Sequence, residues 1–380
     1  MSLISQGNQG AGTNNPIAIG FDAKRAFFNT SGLGNYSRNL LSALVKNFPE
    51  NTYYLFTPKT KKRIILDQDN KFILVQPGSF ILKTLHPLWR RRFMIKDLRH
   101  HKPDVYHGLS QELPLGIEKT NIKSVVTVHD LIFLRFPGFY KWHDIKIYVS
   151  KLAHACKISD RIVAISNQTK EDLINYLNIS PEKISVIYQG CSHHFYEKYD
   201  DEFSNAVRIK YKLPEKYMLS VGTIEERKNL LNVLKAIRHY GIDIPLVVVG
   251  RRTMPYFNTI LEYISANNLD NIIFTGNVKS YELPVIYRNA GCFIYVSFFE
   301  GFGIPLVEAL VSGVPVISSK TGCFTEAGGP GSIYVDPYSP EEIGEAILKV
   351  ISQPEIRNEM ITRGLDHAGN FSDNSIARNY

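Results

Sequence analysis

Short apolar runs alternate with amphipathic stretches of helical period along nearly all of this 380-residue chain, and few folds accept that pattern. In the first half the predicted strands are 17–21, 53–56, 72–75, 105–107, 124–128, 161–165 and 184–187. Predicted helices at 35–47, 89–100, 145–157 and 168–177 fill the gaps. In the second half strands are expected at 218–221, 246–249, 272–275, 292–296, 314–318 and 333–335. Helices are expected there at 230–239, 256–266, 281–288, 305–312 and 340–351. Alternating strand and helix implies parallel pairing through crossovers, with helices on both faces of each sheet. The expected fold class is α/β, with two Rossmann-like, doubly wound parallel sheets, and the length favours two cores over one. Residues 1–16, polar and glycine-rich, read as a disordered leader. The N-terminal domain is placed at 17–200, the C-terminal domain at 201–365 and a terminal segment at 366–380. The boundary falls near Gln189–Lys212, a stretch with several charges and no clear period.

Composition narrows the setting. No apolar run approaches the ~20 residues of a membrane span. Cys156, Cys191, Cys292 and Cys323 are scattered, which disfavours a disulfide framework or thiolate zinc site and fits the cytoplasm. Residues 1–200 carry 27 Lys and Arg against 16 Asp and Glu, whereas 201–380 carry 17 against 20. A basic N-terminal half suggests an anionic partner: nucleic acid, a membrane or a phosphorylated substrate. The run from Phe80 to Phe93 mixes apolar and basic residues; it reads equally as a membrane-surface patch or as a helix with Trp89 in the core. Asp67-Gln68-Asp69 could pass for a D-x-D metal motif, but its polar setting reads as a solvated turn. No other His, Cys or carboxylate cluster shows metal-ligand spacing, so neither a metal nor a cofactor is expected.

Ligands of doubly wound sheets bind beyond the carboxyl ends of the strands, and the informative motifs fall there. In Phe299-Glu300-Gly301-Phe302-Gly303-Ile304-Pro305-Leu306-Val307-Glu308, two carboxylates bracket a glycine-rich turn that opens a helix. Amides at a helix start can accept an anion, and Glu308 could chelate a diol. A nucleotide-sugar offers both, as a diphosphate and a ribose. Arg227-Lys228 follows the strand ending at Val221-Gly222, where two cations can neutralise a diphosphate as its charge grows. His129-Asp130 ends an apolar strand; Asp130 either orients the imidazole or caps the next segment. Gly32-Leu33-Gly34 precedes the 35–47 helix. As a dinucleotide fingerprint it is broken, since Ser37 stands where the third glycine belongs and no acid ends the strand at 53–56.

These segments resemble the retaining glycosyltransferases of family 4. Glu300 to Glu308 looks like that family's E-x7-E motif, and Gly222-Thr223-Ile224-Glu225-Glu226-Arg227-Lys228-Asn229 like its G-T-x-x-x-R-K-N element. Val128-His129-Asp130-Leu131 resembles its histidine-bearing strand end, and Ser31-Gly32-Leu33-Gly34-Asn35-Tyr36 its N-terminal glycine loop. The motifs occur in the family's order. The resemblance implies a GT-B architecture, with two Rossmann-like domains facing a central cleft and a C-terminal segment crossing back to the N-terminal domain. It implies that Glu300, His129, Arg227 and Lys228 are catalytic. Gly34, Gly222, Val278, Gly301, Phe302, Gly303, Ile304 and Glu308, with Arg227 and Lys228, would bind the nucleotide-sugar. The flavour is that of bacterial mannosyltransferases of surface-polysaccharide assembly. GDP-mannose is then the favoured donor, with UDP- or ADP-sugars as alternatives. The acceptor would be a glycan or a lipid-linked glycan, reached from the cytoplasm or the inner face of the membrane through the basic N-terminal domain. Thr321-Gly322-Cys323-Phe324-Thr325-Glu326 departs from the proline-rich turn frequent in the family, and Glu225-Glu226 sets two acids beside the cations.

Two rival readings stand beside this one. A dinucleotide-dependent oxidoreductase is disfavoured by the broken glycine fingerprint. A non-enzymatic nucleic-acid-binding protein is disfavoured because the basic residues are dispersed and no recognition motif appears, so no nucleic-acid partner is expected.

Overall fold

The computed structural model describes residues 15–29, 32–60 and 71–380. Asp67-Gln68-Asp69, Ser31 and almost all of the 1–16 leader lie outside the described residues. The strands are β1 (Ala18–Asp22), β2 (Thr52–Phe56), β3 (Phe72–Val75), β4 (Val105–Gly108), β5 (Lys123–Val128), β6 (Arg161–Ala164), β7 (Ile184–Val186), β8 (Met218–Val221), β9 (Leu246–Val249), β10 (Ile272–Gly276), β11 (Cys292–Tyr295), β12 (Val316–Ser319) and β13 (Ile333–Val335). They form two fully parallel sheets, in the orders β3-β2-β1-β4-β5-β6-β7 and β10-β9-β8-β11-β12-β13. Strand order reverses between β1 and β4 in the first sheet and between β8 and β11 in the second. A doubly wound sheet opens a binding crevice at such a switch point. Two cores flank the second sheet, and β9 is buried at every position, which is why it reads as an unbroken Leu-Val-Val-Val run.

The terminal helix Asp373–Asn379, capped by Ser372, packs on the helix Gly32–Asn47 beside the first sheet. Ile376 and Ala377 join Leu40 and Leu44 in one apolar cluster, and the Tyr380 and Tyr36 hydroxyls meet in a short hydrogen bond. Trp89 lies in the core, its indole N–H donating to Asp97 at 2.8 Å, while Phe80 and Ile81 are exposed. The 80–93 run thus divides: Trp89 is core, whereas the start of the run faces outward.

Two local expectations are corrected. The glycine loop is not a loop before the helix: Gly32 and Gly34 form the helix's first turn. The stretch expected to lack period holds the helix Asp201–Lys210, capped by the Asp200 side chain on the Phe203 amide. Only Val207 of that helix is buried, so no apolar period marks it. The residues after β12 close as the short helix Phe324–Gly328.

Gly34 is dictated by a close approach. A Cβ there would lie 1.8 Å from the Asn29 carbonyl, whereas a Cβ on Gly32 would meet nothing within 4 Å. Replacing Gly34 by Ala should therefore cost roughly 2 kcal/mol or more through forced backbone displacement. Gly32→Ala should be neutral or stabilise by ~0.5 kcal/mol. Urea unfolding of both variants checks this; equal midpoints would refute the close-approach account.

Candidate functional site

The second sheet's switch point gathers the charged motif residues. After β8 the chain passes Gly222, in the left-handed region at φ 155°, and folds into a 3-10 turn, Glu226–Lys228. Asn229 closes that turn at φ 60°, a left-handed conformation that Asn tolerates. Its side-chain amide donates to the carbonyls of Val296 at 3.0 Å and Pro337 at 2.6 Å, tying the turn to the end of β11. Arg227 and Lys228 then meet Glu300, which follows β11.

Arg227 Nη1 lies 2.8 Å from Glu300 Oε2, and Lys228 Nζ lies 2.5 Å from Oε1. Arg227 also donates to Phe299 O at 2.7 Å and to Glu225 at 2.6 Å, so one of the two extra acids is a structural partner of the guanidinium. Lys228 donates to the Tyr295 hydroxyl at 2.7 Å. Burial would raise the Glu300 carboxyl, but Lys228 and Arg227 outweigh it and hold it at about 2. Burial pulls the Lys228 ammonium down; Glu300 opposes that, and Arg227 adds repulsion.

The loop carrying Glu300 is held from the other sheet. Gly301 is required because a Cβ would sit 2.1 Å from the His129 carbonyl. The Gly301 carbonyl accepts from Ser166 Oγ at 2.7 Å. Phe302 stacks on Tyr188, and Gly303, at φ 110°, turns the chain into the helix Ile304–Val311. Cys323 Sγ donates to the carbonyls of Phe302 at 3.0 Å and Glu300 at 3.2 Å. Glu326 reaches across to the start of the helix Asn167–Leu177. It accepts from Asn167 N at 2.7 Å, Asn167 Nδ2 at 2.9 Å and Gln168 N at 3.2 Å. A carboxylate at a helix N-terminus satisfies otherwise orphaned amides and complements the helix dipole.

His129 is buried, with both ring nitrogens in use. Nε2 donates to the Leu109 carbonyl at 2.8 Å, and Nδ1 accepts from Gln189 Nε2 at 3.1 Å. Burial lowers the imidazole to about 4, so the ring is neutral at physiological pH. Asp130 caps rather than orients: its Oδ1 accepts from the Ile132 amide at 3.2 Å at the start of the helix Ile132–Arg135.

Glu308 is not part of the ion cluster. It is buried in the helix Ile304–Val311 and accepts from the Tyr287 hydroxyl at 2.9 Å. Burial pushes its carboxyl up to about 7, with the Tyr287 bond opposing. Val278 follows β10, half-buried against the core below the second sheet. Gly34 and Asn35 stand on the first-sheet side, where Asn35 Oδ1 accepts from Arg38 at 2.5 Å.

Sequence reasoning missed Glu326, Ser166, Gln189 and Cys323. Only Ser166, a residue type favoured at a helix N-cap, carried a local signal; the others act across 20 or more residues of separation. The expectation of no metal-spaced cluster is also corrected. The turn His193–Tyr196 brings His193, His194 and Glu197 together, with ligating atoms within 4.8 Å of one another.

Comparisons with known proteins bear on the family and the fold. The Glycosyltransferase Family 4 model matches residues 30–195, and the Glycosyl transferases group 1 model matches residues 203–367. The chain is 28% identical over 296 residues to O-antigen chain mannosyltransferase B of Escherichia coli, covering 76% of this chain and 75% of that one. It is 25% identical over 283 residues to the serotype-specific mannosyltransferase WbdA of Escherichia coli, covering 70% of this chain and 34% of that one. In fold it is similar to Anabaena HepE, solved with UDP and glucose, at a TM-score of 0.74 and 17% identity over 95% of this chain and 97% of that one. It is similar to WaaG, a glycosyltransferase involved in lipopolysaccharide biosynthesis, at a TM-score of 0.69 and 15% identity, with the same coverage of both chains.

Two outcomes are expected from the site's electrostatics. Glu326→Ala should destabilise by about 1–2 kcal/mol, since three hydrogen bonds at a helix start are lost. Urea unfolding measures it, and an unchanged midpoint would refute the cap. Glu308, whose carboxyl is raised in the fold, contributes stability that is fully present below about 4.5 and lost as pH rises to about 7. The loss is about 3 kcal/mol. Glu308→Gln keeps an acceptor for Tyr287 and should remove that loss. Parallel stability profiles for the two proteins between pH 5 and 8 would contradict this.

Proposed function

The chain belongs to the glycosyltransferases of group 1 and family 4, with the GT-B fold, and on that premise we propose that it is a retaining hexosyltransferase acting without a metal ion. The donor would be a nucleotide-sugar, with GDP-mannose favoured because the relatives named above are mannosyltransferases. The acceptor would be a hydroxyl on a glycan or lipid-linked glycan of surface-polysaccharide synthesis.

The observation that carries this reading is the Glu300 carboxylate held between Arg227 and Lys228 at the switch point. A diphosphate entering there offers both cations a competing anion. As they turn to it, Glu300 becomes available to the sugar hydroxyls and to the positive charge that grows at the anomeric carbon. The bond from that carbon to the phosphate oxygen breaks, and Arg227 with Lys228 stabilises the charge left on the diphosphate. The acceptor hydroxyl attacks on the same face and passes its proton to the departing phosphate oxygen. The backbone around Gly301, Phe302, Gly303 and Ile304 would line the diphosphate. Glu308 would hold the ribose through the oxygen not bonded to Tyr287, and the Val278 backbone would meet the base. His129 would position the sugar from the opposite domain, a hydroxyl replacing Leu109 or Gln189 at its ring.

The proposed domain limits are 17–200 and 201–365, with 366–380 returning to the N-terminal domain. Among the described residues no helix is long and apolar enough to cross a membrane. The proposed workplace is the cytoplasmic face of the membrane, approached by the exposed Phe80 and Ile81 in a run that also carries the exposed Lys83 and Arg92.

Arg227→Ala with Lys228→Ala should lower turnover by at least ~10³ without unfolding the protein. Glu300→Gln should mainly lower kcat, because its interaction strengthens only as the bond breaks. Activity should survive EDTA. Melting curves with GDP-mannose, UDP-glucose and ADP-glucose identify the donor, since binding raises the melting temperature. Near wild-type turnover in the double variant, or metal-restored activity after chelation, would overturn the reading.

A further inference from the structure

A cavity of about 650 Å³ opens at the switch point of the first sheet. Asp22 at the end of β1 and Glu112 beyond β4 lie on its wall, and Tyr106 and Met94 are buried beneath. Lys24, Arg25, Arg90, Arg91 and Lys151 line it against those two carboxylates.

The carboxylates are already engaged. Arg90 pairs with Asp22 in a short contact and with Glu112 at 3.0 Å, and Lys151 reaches Glu112 at 3.1 Å. Those two cations and two carboxylates balance. Among the described residues the lining offers no further acid to Lys24, Arg25 and Arg91, so the cavity keeps a positive field. Burial lowers the Lys24 ammonium, Arg90 and Arg25 lower it further, and Asp22 and Glu112 oppose them.

The second observation is unsatisfied donor capacity. The Arg90 side chain is only 10% exposed, yet its Nε–H has no hydrogen-bond acceptor among the described residues. His154 Nε2, on the same cavity wall, is likewise buried without a partner. A guanidinium N–H can only donate, and leaving it buried and unpaired is unfavourable. An acceptor oxygen in the cavity would remove that penalty.

The cavity also adjoins the reaction centre. The segment after β4 holds His129 through the Leu109 carbonyl and Asp130 through Gln111, whose side chain donates to the Asp130 carbonyl at 3.1 Å. Glu112 follows directly in the cavity wall. Arg25, on the same wall, is near enough for its charge to lower the His129 imidazole.

Resting on the hexosyltransferase reading above, we propose that this cavity is an anion subsite that binds a phosphate or diphosphate ester carried by the acceptor. A neutral sugar would make use of the Asp22, Arg90 and Glu112 network but would leave Lys24, Arg25 and Arg91 uncompensated. A doubly charged ester answers those cations and supplies the oxygen that Arg90 Nε lacks. The chain then selects acceptors by their anionic end, and its donor and acceptor phosphates lie at the two switch points.

The test uses the full chain carrying Arg227→Ala and Lys228→Ala, so that the donor-side cations cannot contribute. Inorganic pyrophosphate is titrated calorimetrically into this protein and into the same protein with Lys24→Gln and Arg91→Gln added. Binding should weaken at least ~tenfold in the latter, as expected for losing charge-assisted contacts. Farnesyl diphosphate in a parallel titration distinguishes the sources. Tighter binding than pyrophosphate indicates a lipid-borne ester, and equal binding a water-soluble one; either supports the anion subsite. No pyrophosphate binding, or binding indifferent to Lys24→Gln and Arg91→Gln, would overturn it. So would mannobiose binding in the cavity where pyrophosphate does not. The melting shift of the otherwise unaltered chain with nucleotide-sugars reports the donor site separately. Failure of the hexosyltransferase reading would therefore show there, not in the pyrophosphate titration.

Discussion

One carboxylate, Glu300, is shared by two cations in a site closed from water on most sides. Burying a charge is unfavourable unless partners replace its hydration, and removing one partner of such a set leaves the others stranded. The β8 and β11 ends are therefore tied to each other. Asn229 ties the turn that carries Arg227 to the Val296 carbonyl, and Tyr295 supplies Lys228 with both a hydroxyl and a ring face. The site is prepared for an anion by already holding one.

The same loop is also where the two sheets meet. Gly301 admits the His129 carbonyl at a distance no side chain would allow, Ser166 bonds its carbonyl, and Glu326 caps the helix that follows Ser166. Phe299 adds an apolar contact with Phe136 and lies under the Arg135 guanidinium. Thus the group proposed to face the sugar is positioned by both halves of the chain. A change in their relative placement would be felt directly at Glu300.

The two switch points resemble each other in chemistry. Each sets buried carboxylate and cations at the reversal of strand order: Glu300 with Arg227 and Lys228 in one, Asp22 with Arg90 in the other. They differ in what is left over. The second sheet's cluster is internally paired, whereas the first sheet's cavity retains surplus cations and an unpaired Arg90 N–H. The imbalance follows the uneven charge of the chain, whose basic residues are concentrated in the first 200 positions.

The sequence by itself determined the strands, the two parallel sheets and the motif positions. β3, β8, β9 and β13 fall where the apolar runs place them. Those features are local: a strand buried on both faces must be apolar throughout, and a helix-opening turn needs its own glycines. The pairing of Arg227 and Lys228 with Glu300 was legible only as shared location at strand ends. Tertiary structure alone decided the rest. It turned the Gly32–Gly34 loop into a helix start pressed on Asn29, engaged both nitrogens of His129, and set Glu308 against Tyr287 away from the ion cluster. It also recruited Glu326 and Cys323, and raised the helix Asp201–Lys210 from a stretch with one buried residue. Each of these depends on which backbone passes within a few ångströms of a given side chain. That proximity mostly joins residues tens of positions or more apart, and it leaves no periodicity for a linear reading to detect.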